Sequence, residues 1–385
     1  MKDVLLVGAG KIGSMIADFL ASSGDYRVTV ADRSAEALAK LETATKVETV
    51  TLDVADKAAL ESLMKGKFAV LSAAPFQVTT KIADAAKAAG AHYLDLTEDV
   101  ASTRHVKKLA EGAQTAFIPQ CGLAPGFITI VAYDIAKHFD ELQDVRMRVG
   151  ALPKFPSNAL GYNLTWSTDG VINEYCEPCE AIIEGKLSET PPLEEVEELA
   201  IDGVQYEAFN TSGGLGTLPH TLEGKVRNLN YRTMRYPGHA AIMKMLLNDL
   251  RMRDKRDLLK EVMEHSLPMT MQDVVIVFVT VSGMKNGKLV QETYANKVYA
   301  QEIEGRQRTA IQVTTASGIC TVLDMLADGS LPARGFVRQE DIPLDAFLKN
   351  RFGRYYATPD YTPLAMAEAT PGLVNAQADR SLIHA

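Results

Sequence analysis

The sequence predicts an α/β fold, with a doubly wound parallel sheet at the N-terminus and a second, α+β domain after it. Over residues 1–122, short β-branched runs alternate with alanine-rich amphipathic stretches, which is the pattern of a parallel sheet covered by helices. After Cys121–Gly126 the chain changes to longer runs of mixed periodicity, interrupted by Gly and Pro. These observations predict a first domain at 1–122, a second at 123–309, and a segment at about 310–370 that returns to complete the first domain.

The elements of the first domain are predicted from runs that end at turn residues. The predicted strands are Asp3–Val7, Arg27–Ala31, Lys46–Thr51, Phe68–Ser72, His92–Asp95 and Ala116–Pro119. The predicted helices are Ile12–Ser22, Ser34–Leu41, Lys57–Met64, Thr79–Ala89 and Ala101–Glu111. Because parallel strands are joined by right-handed crossovers, this order of elements predicts a doubly wound sheet.

The second domain is predicted from fewer signals. Val274–Val281 and Thr293–Ala300 are strand-like runs, and Ser282–Gln291 between them contains two glycines, which indicates an antiparallel pair joined by a loop. Thr315–Leu326 predicts a helix that packs back on the first domain. Antiparallel strands mixed with helices define the α+β class. The apolar Val274–Val281 run favours a homo-oligomer, a dimer or larger.

Composition limits the classes of function. At 385 residues the chain exceeds what one hydrophobic core usually organises, and 46% hydrophobic with 23% charged residues is ordinary for a globular protein. No stretch approaches the roughly 18 to 20 uninterrupted apolar residues that span a membrane. Met1–Val7 leads directly into a strand and lacks the apolar core of a secretory signal. We therefore expect a cytoplasmic protein without a membrane partner.

The charge balance opposes a nucleic-acid partner. The net charge is −9 and the pI is near 5.4, whereas binding of phosphate backbones needs a positive surface. Among the four cysteines, only Cys176 and Cys179 have the spacing of a redox or metal pair, and no second pair or histidine cluster accompanies them. Free thiols and no metal site are therefore expected.

A glycine-rich turn closes the first strand and opens a helix. Its sequence is Gly8-Ala9-Gly10-Lys11-Ile12-Gly13. In this context Gly8 permits the tight turn, Gly10 lets backbone approach a pyrophosphate, and Gly13 allows the helix to pack closely on the strand. The amides of Lys11 and Ile12 at the helix N-terminus are expected to face the phosphates. The turn predicts a Rossmann domain that binds a dinucleotide.

Acidic and small residues at later strand ends extend this site. Asp32 follows Gly13 by 19 positions, where a carboxylate accepts hydrogen bonds from the adenosine ribose. It would repel a 2′-phosphate, so NAD is favoured over NADP, although Arg33 beside it could partly accommodate NADP. Since ligands bind at the carboxyl ends of the strands, two further turns are expected at the cofactor. They are Asp53-Val54 after the third strand and Ser72-Ala73-Ala74-Pro75 after the fourth.

Several segments resemble the saccharopine dehydrogenase family, and the resemblance covers nearly the whole chain. They are the Gly8–Gly13 loop, His92–Leu96, the Gly122–Gly126 junction, Leu160–Val171 and the Arg235–Gly238 turn. The resemblance implies a two-domain oxidoreductase. Such an enzyme uses a nicotinamide nucleotide to oxidise or form a carbon–nitrogen bond on an amino-acid substrate.

Two branches of that family compete. Saccharopine reductases resemble Leu160–Val171 but carry arginine at the position of Asp169, and they lack the Thr211–Gly214 loop. L-lysine 6-dehydrogenases are more similar at Thr211–Gly214, Tyr231–Tyr236 and Gly238-His239. This closer likeness implies NAD-dependent oxidative deamination of the ε-amino group of L-lysine to allysine, which cyclises to piperideine-6-carboxylate, with release of ammonia. An acidic residue suits lysine, which has one carboxylate and two ammonium groups, better than saccharopine with its extra carboxylates.

The substrate-binding candidates come from the same segments. Arg235 is expected to bind the α-carboxylate through two parallel hydrogen bonds, because a guanidinium matches that geometry. Thr211 and Ser212 are expected to add hydroxyl and amide donors. Asp169 is expected to pair with a substrate ammonium group.

Three residues are candidates for acid–base work, which the chemistry requires because a hydride cannot leave carbon while the nitrogen is an ammonium. Asp95 lies at the carboxyl end of the fifth strand, where it could instead cap a helix. His239 titrates near neutrality but could be a structural group. Tyr162 is the third candidate. Two other functions stay open: a saccharopine or carboxynorspermidine dehydrogenase, and a non-catalytic nucleotide-binding sensor.

Overall fold

The N-terminal domain is a parallel sheet between two layers of helices; the computed structural model describes residues 1–357. Its strands are β1 (Lys2–Val7), β2 (Tyr26–Asp32), β3 (Glu48–Thr51), β4 (Ala69–Ser72), β5 (His92–Asp95) and β6 (Ala116–Ile118). Its helices are α1 (Lys11–Ser22), α2 (Ala35–Ala39), α3 (Lys57–Met64), α4 (Phe76–Ala89) and α5 (Val100–Ala110). The strands lie in the order β6-β5-β4-β1-β2-β3 and all pair in parallel. The predicted doubly wound sheet and the position of each element are confirmed.

Short polar side chains set where most of these helices begin. Ser34, Asp56 and Asp99 each accept a hydrogen bond from the amide three residues further on, at the starts of α2, α3 and α5. Gly90 ends α4 in the left-handed conformation that favours glycine. By contrast, Gly10 before α1 provides no side-chain cap. The first amides of α1 are therefore not satisfied by a capping side chain.

The second domain is built on a mixed sheet of eight strands, which confirms the α+β prediction. Its elements are α6 (Phe127–Ala136), β7 (Glu141–Pro153), α7 (Thr168–Glu174), β8 (Cys179–Ile183), β9 (Lys186–Thr190), β10 (Glu197–Ile201), β11 (Val204–Asn210), α8 (Leu218–Leu222), β12 (Val226–Arg235), α9 (His239–Lys244), α10 (Arg256–Ser266), β13 (Asp273–Lys285) and β14 (Lys288–Tyr299). Between α9 and α10 lie a π-helical turn, Met245–Asp249, and a 3-10 turn, Met252–Lys255. The main path is β10-β11-β12-β7-β13-β14, and β8 pairs with β12 and β9. Only β12 and β7 pair in parallel.

The β13–β14 hairpin is longer than the sequence analysis predicts. The loop predicted at Ser282–Gln291 is wrong, because both strands continue to a two-residue turn at Asn286-Gly287. Both turn residues have positive φ, 53° and 74°, as a tight hairpin turn requires. The valines that alternate along β13 are buried within this chain, in the core that it shares with α6. Burial inside the chain thus accounts for the apolar run that favoured an oligomer.

After residue 300 the chain returns to the first domain. The hairpin of β15 (Gln301–Ile303) and β16 (Arg306–Arg308) leads into α11 (Ala310–Ala327), which packs against α1. β17 (Gly335–Phe336) then pairs in parallel with β6 as the seventh strand of the first sheet. The remaining elements are α12 (Leu344–Lys349) and 3-10 turns at Gln339–Asp341 and Gly353–Tyr356. Residues 358–370 of the predicted returning segment lie outside the described residues.

Helix α11 fills the space between the two domains. It begins earlier than predicted, since Thr309 forms a capping box with Gln312 and Asp273 of β13 accepts hydrogen bonds from the amides of Ala310 and Ile311. Within residues 1–357 it is the one helix whose length and composition would suffice to cross a membrane. However, 83% of that stretch is buried inside the molecule, which is typical of a core helix.

Candidate active site

A cleft of about 850 Å³ lies between the two domains, at the carboxyl ends of β1 to β5. One wall consists of the turns that follow these strands. The other wall comes from β7, α7, β12 and α10, and α11 contributes Ile311 and Thr315 at the junction. Doubly wound sheets bind their ligands at this edge.

A glycine turn brings the backbone to the cleft in the wall from the first domain. Gly8 has φ +112°, and a Cβ there would lie 2.6 Å from the carbonyl oxygen of Ala73. A Cβ on Gly13 would lie 1.9 Å from the carbonyl oxygen of Gly8. At Gly10, which lines the cleft, a Cβ would meet nothing within 4 Å. Gly8 and Gly13 are therefore required for packing, whereas Gly10 borders the open space at the uncapped N-terminus of α1, where a phosphate fits.

Asp32 lies at the end of β2 and also lines the cleft. One carboxylate oxygen accepts a hydrogen bond from the amide of Ala9 at 2.7 Å, and the other accepts one from the amide of Ser34 at 2.8 Å. The carboxylate is thereby fixed beside the glycine loop, and Arg33 lines the cleft next to it. A phosphate cradle with a carboxylate at the next strand end fits a dinucleotide.

The remaining predicted cofactor residues divide into two sets. Those that line the cleft are Ile12, Asp53, Val54, Ala73, Ala74 and Pro75. Lys11, Gly13 and Ser72 do not line it. The amine of Lys11 lies 2.7 Å from the sulfur of Met269 in the second domain, and Ser72 is buried within the end of β4. These side chains support the wall rather than form its surface.

Arg235 is the central cation of the second wall. Tyr231, Thr233 and Arg235 all face the cleft, because alternate residues of a strand share a face. Arg235 is 3% exposed, and no carboxylate among residues 1–357 forms an ion pair with it. Its Nε donates to the hydroxyl of Tyr175 at 3.0 Å and its Nη1 donates to the carbonyl of Met234 at 2.8 Å. A buried guanidinium without a fixed anion is costly, so the site suits an anionic group of a ligand.

Two carboxyl groups line the same part of the cleft. Glu98 is partly buried in the loop after β5, and Glu174 is 6% exposed at the end of α7. Burial raises the pKa of Glu98 to about 7, and nearby acidic charges of its own loop add to the shift. Burial, and then the charge of Glu98, raises the pKa of Glu174 well above its usual range, although Arg235 opposes this. The surroundings of Glu174 thus favour its protonated form, while Glu98 can exchange a proton near neutral pH.

Asp169 already has a partner within the chain. Its carboxylate accepts a hydrogen bond from the amine of Lys260 in α10 at 2.6 Å, and both side chains line the cleft with about a third of each exposed. The residue predicted to bind a substrate ammonium is thus paired with a protein ammonium. The pair also brings a second cation, besides Arg235, to this wall.

Asp95 lies beneath the cleft rather than on its surface. It is 1% exposed, and one carboxylate oxygen accepts hydrogen bonds from the amides of Thr97 and Gln120 at 3.0 and 2.9 Å. Burial raises the pKa of Asp95 to about 6. These bonds hold the loop that carries Glu98. Asp95 therefore acts in the structure as the support of a carboxyl group that reaches the cleft.

His239 and Tyr162 are buried behind Arg235. His239 is 1% exposed and contacts the hydroxyl of Tyr175 and the carbonyl of Leu160. Burial, and then the charge of Arg235, lowers the pKa of His239 to about 3. The Arg235 guanidinium lies 5.2 Å from the ring centre of Tyr162, whose hydroxyl has no hydrogen-bond partner in the described part of the chain. Neither residue lines the cleft.

The Thr211–Gly214 loop shapes the site through its glycines. The hydroxyls of Thr211 and Ser212 are used internally, by Thr233 at 3.0 Å and by the carbonyl of Pro178 at 2.9 Å. A Cβ on Gly213 would lie 2.3 Å from the carbonyl oxygen of Glu98, and one on Gly214 would lie 2.3 Å from the Tyr231 ring. The two glycines allow Glu98 and Tyr231, which line the cleft, to pack closely against this loop. Thr211 and Ser212, the predicted donors, do not line the cleft.

Sequence reasoning missed Glu98, Glu174 and Lys260. Glu98 had a signal, since it stands three residues beyond the end of β5, within the turn that faces the ligand edge of the sheet. Glu174 and Lys260 lie on helices without a motif, and only the tertiary fold brings them to the cleft.

The cysteine pair lies apart from this chemistry. Cys179 is buried, Cys176 is partly buried, and both are free thiols that do not line the cleft. In the part of the chain that the structure describes, no three His, Cys, Asp or Glu side chains are grouped so that they could hold a metal ion.

Two family models match the chain in succession. The saccharopine dehydrogenase NADP binding domain matches residues 4–118, and the saccharopine dehydrogenase C-terminal domain matches residues 122–352. These spans cover both walls of the cleft.

Similarity to individual known proteins indicates the same family. The saccharopine dehydrogenase [NADP(+), L-glutamate-forming] of Saccharomyces cerevisiae is 27% identical over 180 residues, 44% of this chain and 40% of the yeast protein. The Pyricularia oryzae protein of the same description is 24% identical over 261 residues, 64% and 57% of the two chains. The matches thus cover less than two thirds of these relatives. The solved apo saccharopine dehydrogenase (L-Glu forming) from S. cerevisiae has a TM-score of 0.74 at 17% identity, over 88% of this chain and 94% of that chain, which shows a shared fold.

Proposed function

The chain belongs to the saccharopine dehydrogenase family, and from that premise we propose that it oxidises the ε-amino group of L-lysine with NAD. The products are ammonia and allysine, which cyclises to piperideine-6-carboxylate. The observation that carries this proposal is the charge of the substrate wall. Three carboxyl groups, those of Glu98, Asp169 and Glu174, line it together with two cations, Arg235 and Lys260. Asp169 and Lys260 pair with each other, so Arg235 is the cation of this wall without an ion-pair partner among residues 1–357.

Lysine matches this set of charges better than saccharopine does. Lysine has one carboxylate and two ammonium groups, whereas saccharopine has three carboxylates and two amino groups, one of which is a secondary amine. The unpaired guanidinium can bind the single carboxylate of lysine, and the carboxyl groups of Glu98 and Glu174 beside it can receive an ammonium group. The further carboxylates of saccharopine would meet no unpaired cation on this wall among residues 1–357. The proposal therefore assigns the α-carboxylate of lysine to Arg235, whose Nη2 makes no hydrogen bond within the described residues.

Asp32 supports NAD as the cofactor. Its carboxylate is fixed at the end of β2, where a 2′-phosphate would meet a negative charge, although Arg33 alongside reduces that repulsion. Bound NAD supplies the hydride acceptor. Replacing Asp32 with Ala is expected to narrow the preference for NAD over NADP, measured as the ratio of the two kcat/KM values. An unchanged ratio would remove Asp32 from the ribose site.

Glu98 is the proposed general base. The ε-ammonium group must lose a proton before its carbon can release a hydride, because only then does nitrogen have a lone pair to form the iminium. With a pKa of about 7, Glu98 accepts that proton at neutral and alkaline pH. Water then adds to the iminium, and ammonia leaves as the carbonyl forms. Overall, one water is consumed, and one ammonium ion and one further proton are released.

Glu174 is proposed to donate rather than accept. Burial and the charge of Glu98 keep its pKa high, so it carries a proton when Glu98 does not. A protonated carboxyl group beside the reacting nitrogen can hydrogen-bond to it and pass a proton to the departing ammonia. The two carboxyl groups thus divide the acid and base roles according to their surroundings.

The test is the growth of reduced-nicotinamide absorbance with L-lysine and NAD at alkaline pH, with saccharopine and NADP in parallel wells. Wild-type protein is expected to respond in the lysine wells and E98Q to be nearly silent. E111Q changes an exposed carboxylate at the end of α5, which does not line the cleft, and is expected to keep its activity. Silence of the wild-type protein with lysine would overturn the proposal.

A second candidate is a saccharopine-type carbon–nitrogen oxidoreductase that uses NADP. Lys260 favours it, because this second cation at the cleft could meet the additional carboxylate of such a substrate. The S. cerevisiae and P. oryzae relatives carry that description. Absorbance growth with saccharopine and NADP, but not with lysine, would select this function.

A further inference from the structure

We propose that Tyr175 and His239 form a hydrogen-bond relay of fixed direction that holds the Arg235 guanidinium in its carboxylate-binding orientation. They are then positioning residues and do not touch the substrate. The inference rests on the proposed function in one respect, the assignment of the substrate carboxylate to Arg235. It gives His239 a different role from the acid–base work that the sequence suggests.

The direction of the relay follows from what each atom can donate. The carbonyl oxygen of Leu160 only accepts, so His239 Nδ1, 2.9 Å away, must carry a proton. Because burial and the charge of Arg235 keep the imidazole neutral, its Nε2 has a lone pair and accepts. The Tyr175 hydroxyl, 3.0 Å from Nε2, therefore donates its single proton to His239. The tyrosine oxygen is left to accept from Arg235 Nε at 3.0 Å.

The relay leaves only one part of the guanidinium for a ligand. Tyr175 accepts from Nε, and the carbonyl of Met234 accepts from Nη1 at 2.8 Å. Nη2 has no acceptor among residues 1–357, and Arg235 lines the cleft. Fixing two of the three nitrogens defines the plane of the guanidinium, so the N–H groups of Nη2 are held in fixed directions towards a ligand carboxylate.

Aromatic packing keeps the relay from rearranging. The Phe209 ring stacks on the His239 imidazole at 6.1 Å and 11°. Tyr162 and Tyr175 meet the imidazole edge-on, at 5.5 and 5.8 Å. Tyr162 and Tyr175 are 0% exposed and His239 is 1% exposed, so no solvent molecule competes easily for these bonds. If His239 were protonated, its Nε2 would become a donor, and the tyrosine could no longer donate to it.

The relay is tested with Y175F, H239F and the double variant. Each single variant is expected to raise KM for L-lysine about 10-fold, the effect of a lost hydrogen bond to a charged group. Little change is expected in kcat or in KM for NAD. The double variant is expected to be no worse than the worse single one, because both act through the same bonds to Arg235. H239Q retains an acceptor for Tyr175 and is expected to recover most of the affinity.

Matched controls separate the relay from general destabilisation. Y356F removes another buried hydroxyl, which donates to the carbonyl of Thr314 at 2.8 Å away from the cleft, and it should leave KM for lysine unchanged. Independent, additive effects of Y175F and H239F would overturn the relay. So would wild-type KM values in both single variants, or a loss of kcat with a shifted pH profile in H239F, which would give His239 a direct proton-transfer role.

The failure of the proposed function can be told apart from the failure of the relay. If wild-type protein turns over neither lysine nor saccharopine, the proposed function fails before any variant is compared. The relay is then judged by nitrogen NMR of His239 in the full chain. It requires a neutral imidazole protonated at Nδ1 throughout the neutral pH range, and an Nε2 signal that changes in Y175F. An Nε2-protonated tautomer would overturn it.

Discussion

The two walls of the cleft are built in different ways. In the wall from the first domain, the parts that suit a dinucleotide are a glycine turn, the amides at the start of α1 that no side chain caps, and the carboxylate of Asp32, which two amides fix. The second wall, to which the loop after β5 of the first domain contributes Glu98, presents buried or partly buried ionisable side chains, on Glu98, Glu174 and Arg235. The first wall comes largely from contiguous sequence, whereas these three side chains belong to separate segments.

This difference assigns different work to each wall. Backbone amides present a fixed partial charge that hardly depends on pH, which suits the constant task of holding phosphates. Buried carboxyl groups change their protonation near neutrality, which suits a reaction in which protons move. Substitutions in the first wall should therefore affect cofactor affinity, and substitutions in the second wall should affect turnover or substrate affinity.

The largest expected effect is that of E98Q on turnover. Removing a general base typically lowers the rate by about 10² to 10⁴-fold. We expect a loss of this order in kcat, with KM for NAD unchanged, since glutamine keeps the shape but cannot take the proton. E111Q, at an exposed carboxylate outside the cleft, is the matched control. If E98Q and E111Q had equal kcat values, the base would have to lie elsewhere.

Arg235→Ala should act mainly on substrate affinity. Losing the partner of a buried carboxylate costs about 2–5 kcal/mol, which corresponds to roughly 30-fold or more in affinity. KM for lysine is therefore expected to rise by about 100-fold, and KM for NAD should stay near its wild-type value. Arg232→Ala is the control, because Arg232 lies on the opposite face of β12 and pairs with Glu195 and Glu197. Equal changes in both KM values would remove Arg235 from the substrate site.

The same contrast between walls explains what the sequence could predict. Gly8, Gly10, Gly13 and Asp32 are recognisable because a single turn and the next strand end impose their spacing. The period-2 and helical patterns likewise predict the positions of the strands and helices within residues 1–122, whereas β17, the seventh strand of this sheet, was not predicted. Local sequence determines these features, so a single chain without relatives is enough to find them.

The second wall could be predicted only in part. Arg235 was found because it stands in a distinctive turn, but Glu174 and Lys260 reach the cleft through the packing of α7 and α10. His239 shows the physical limit most clearly. A histidine has an ordinary pKa near 6.5, and only burial beside Arg235 lowers the pKa to about 3, which leaves a neutral imidazole. Sequence spacing contains no information about that burial.

Gly10→Ala should produce a smaller effect, confined to the first wall. The added methyl group meets no protein atom within 4 Å, but it enters the space beside the start of α1. We expect NAD affinity to fall about 10-fold, the equivalent of roughly 1.4 kcal/mol, with an unchanged Tm. Gly13→Ala is the contrasting variant, since its methyl would lie 1.9 Å from a carbonyl oxygen and should lower Tm. Normal NAD binding by G10A would place the phosphates away from this turn.

The smallest expected effect is on stability, and it tests whether burial really perturbs the second wall. The pKa of Glu98 rises from the ordinary 4.5 to about 7, so between these pH values the folded protein holds a proton that the unfolded chain has lost. Since the folded state then binds more protons, stability falls as pH rises through this window and stays lower above it. The E98Q variant has no carboxyl group that can ionise at this position, so it does not lose stability in this pH window.

E98Q should therefore be more stable than wild-type protein at pH 8 by about 1–2 kcal/mol, less than the full shift implies because Glu98 is only partly buried. The gain should shrink towards pH 5, and thermal unfolding at the two pH values measures it. The control is E111Q, which removes an exposed carboxylate at the end of α5 and should shift Tm equally at the two pH values. A gain for E98Q that did not grow with pH would mean that Glu98 ionises as freely as a surface carboxylate, and the second wall would lose its proposed base.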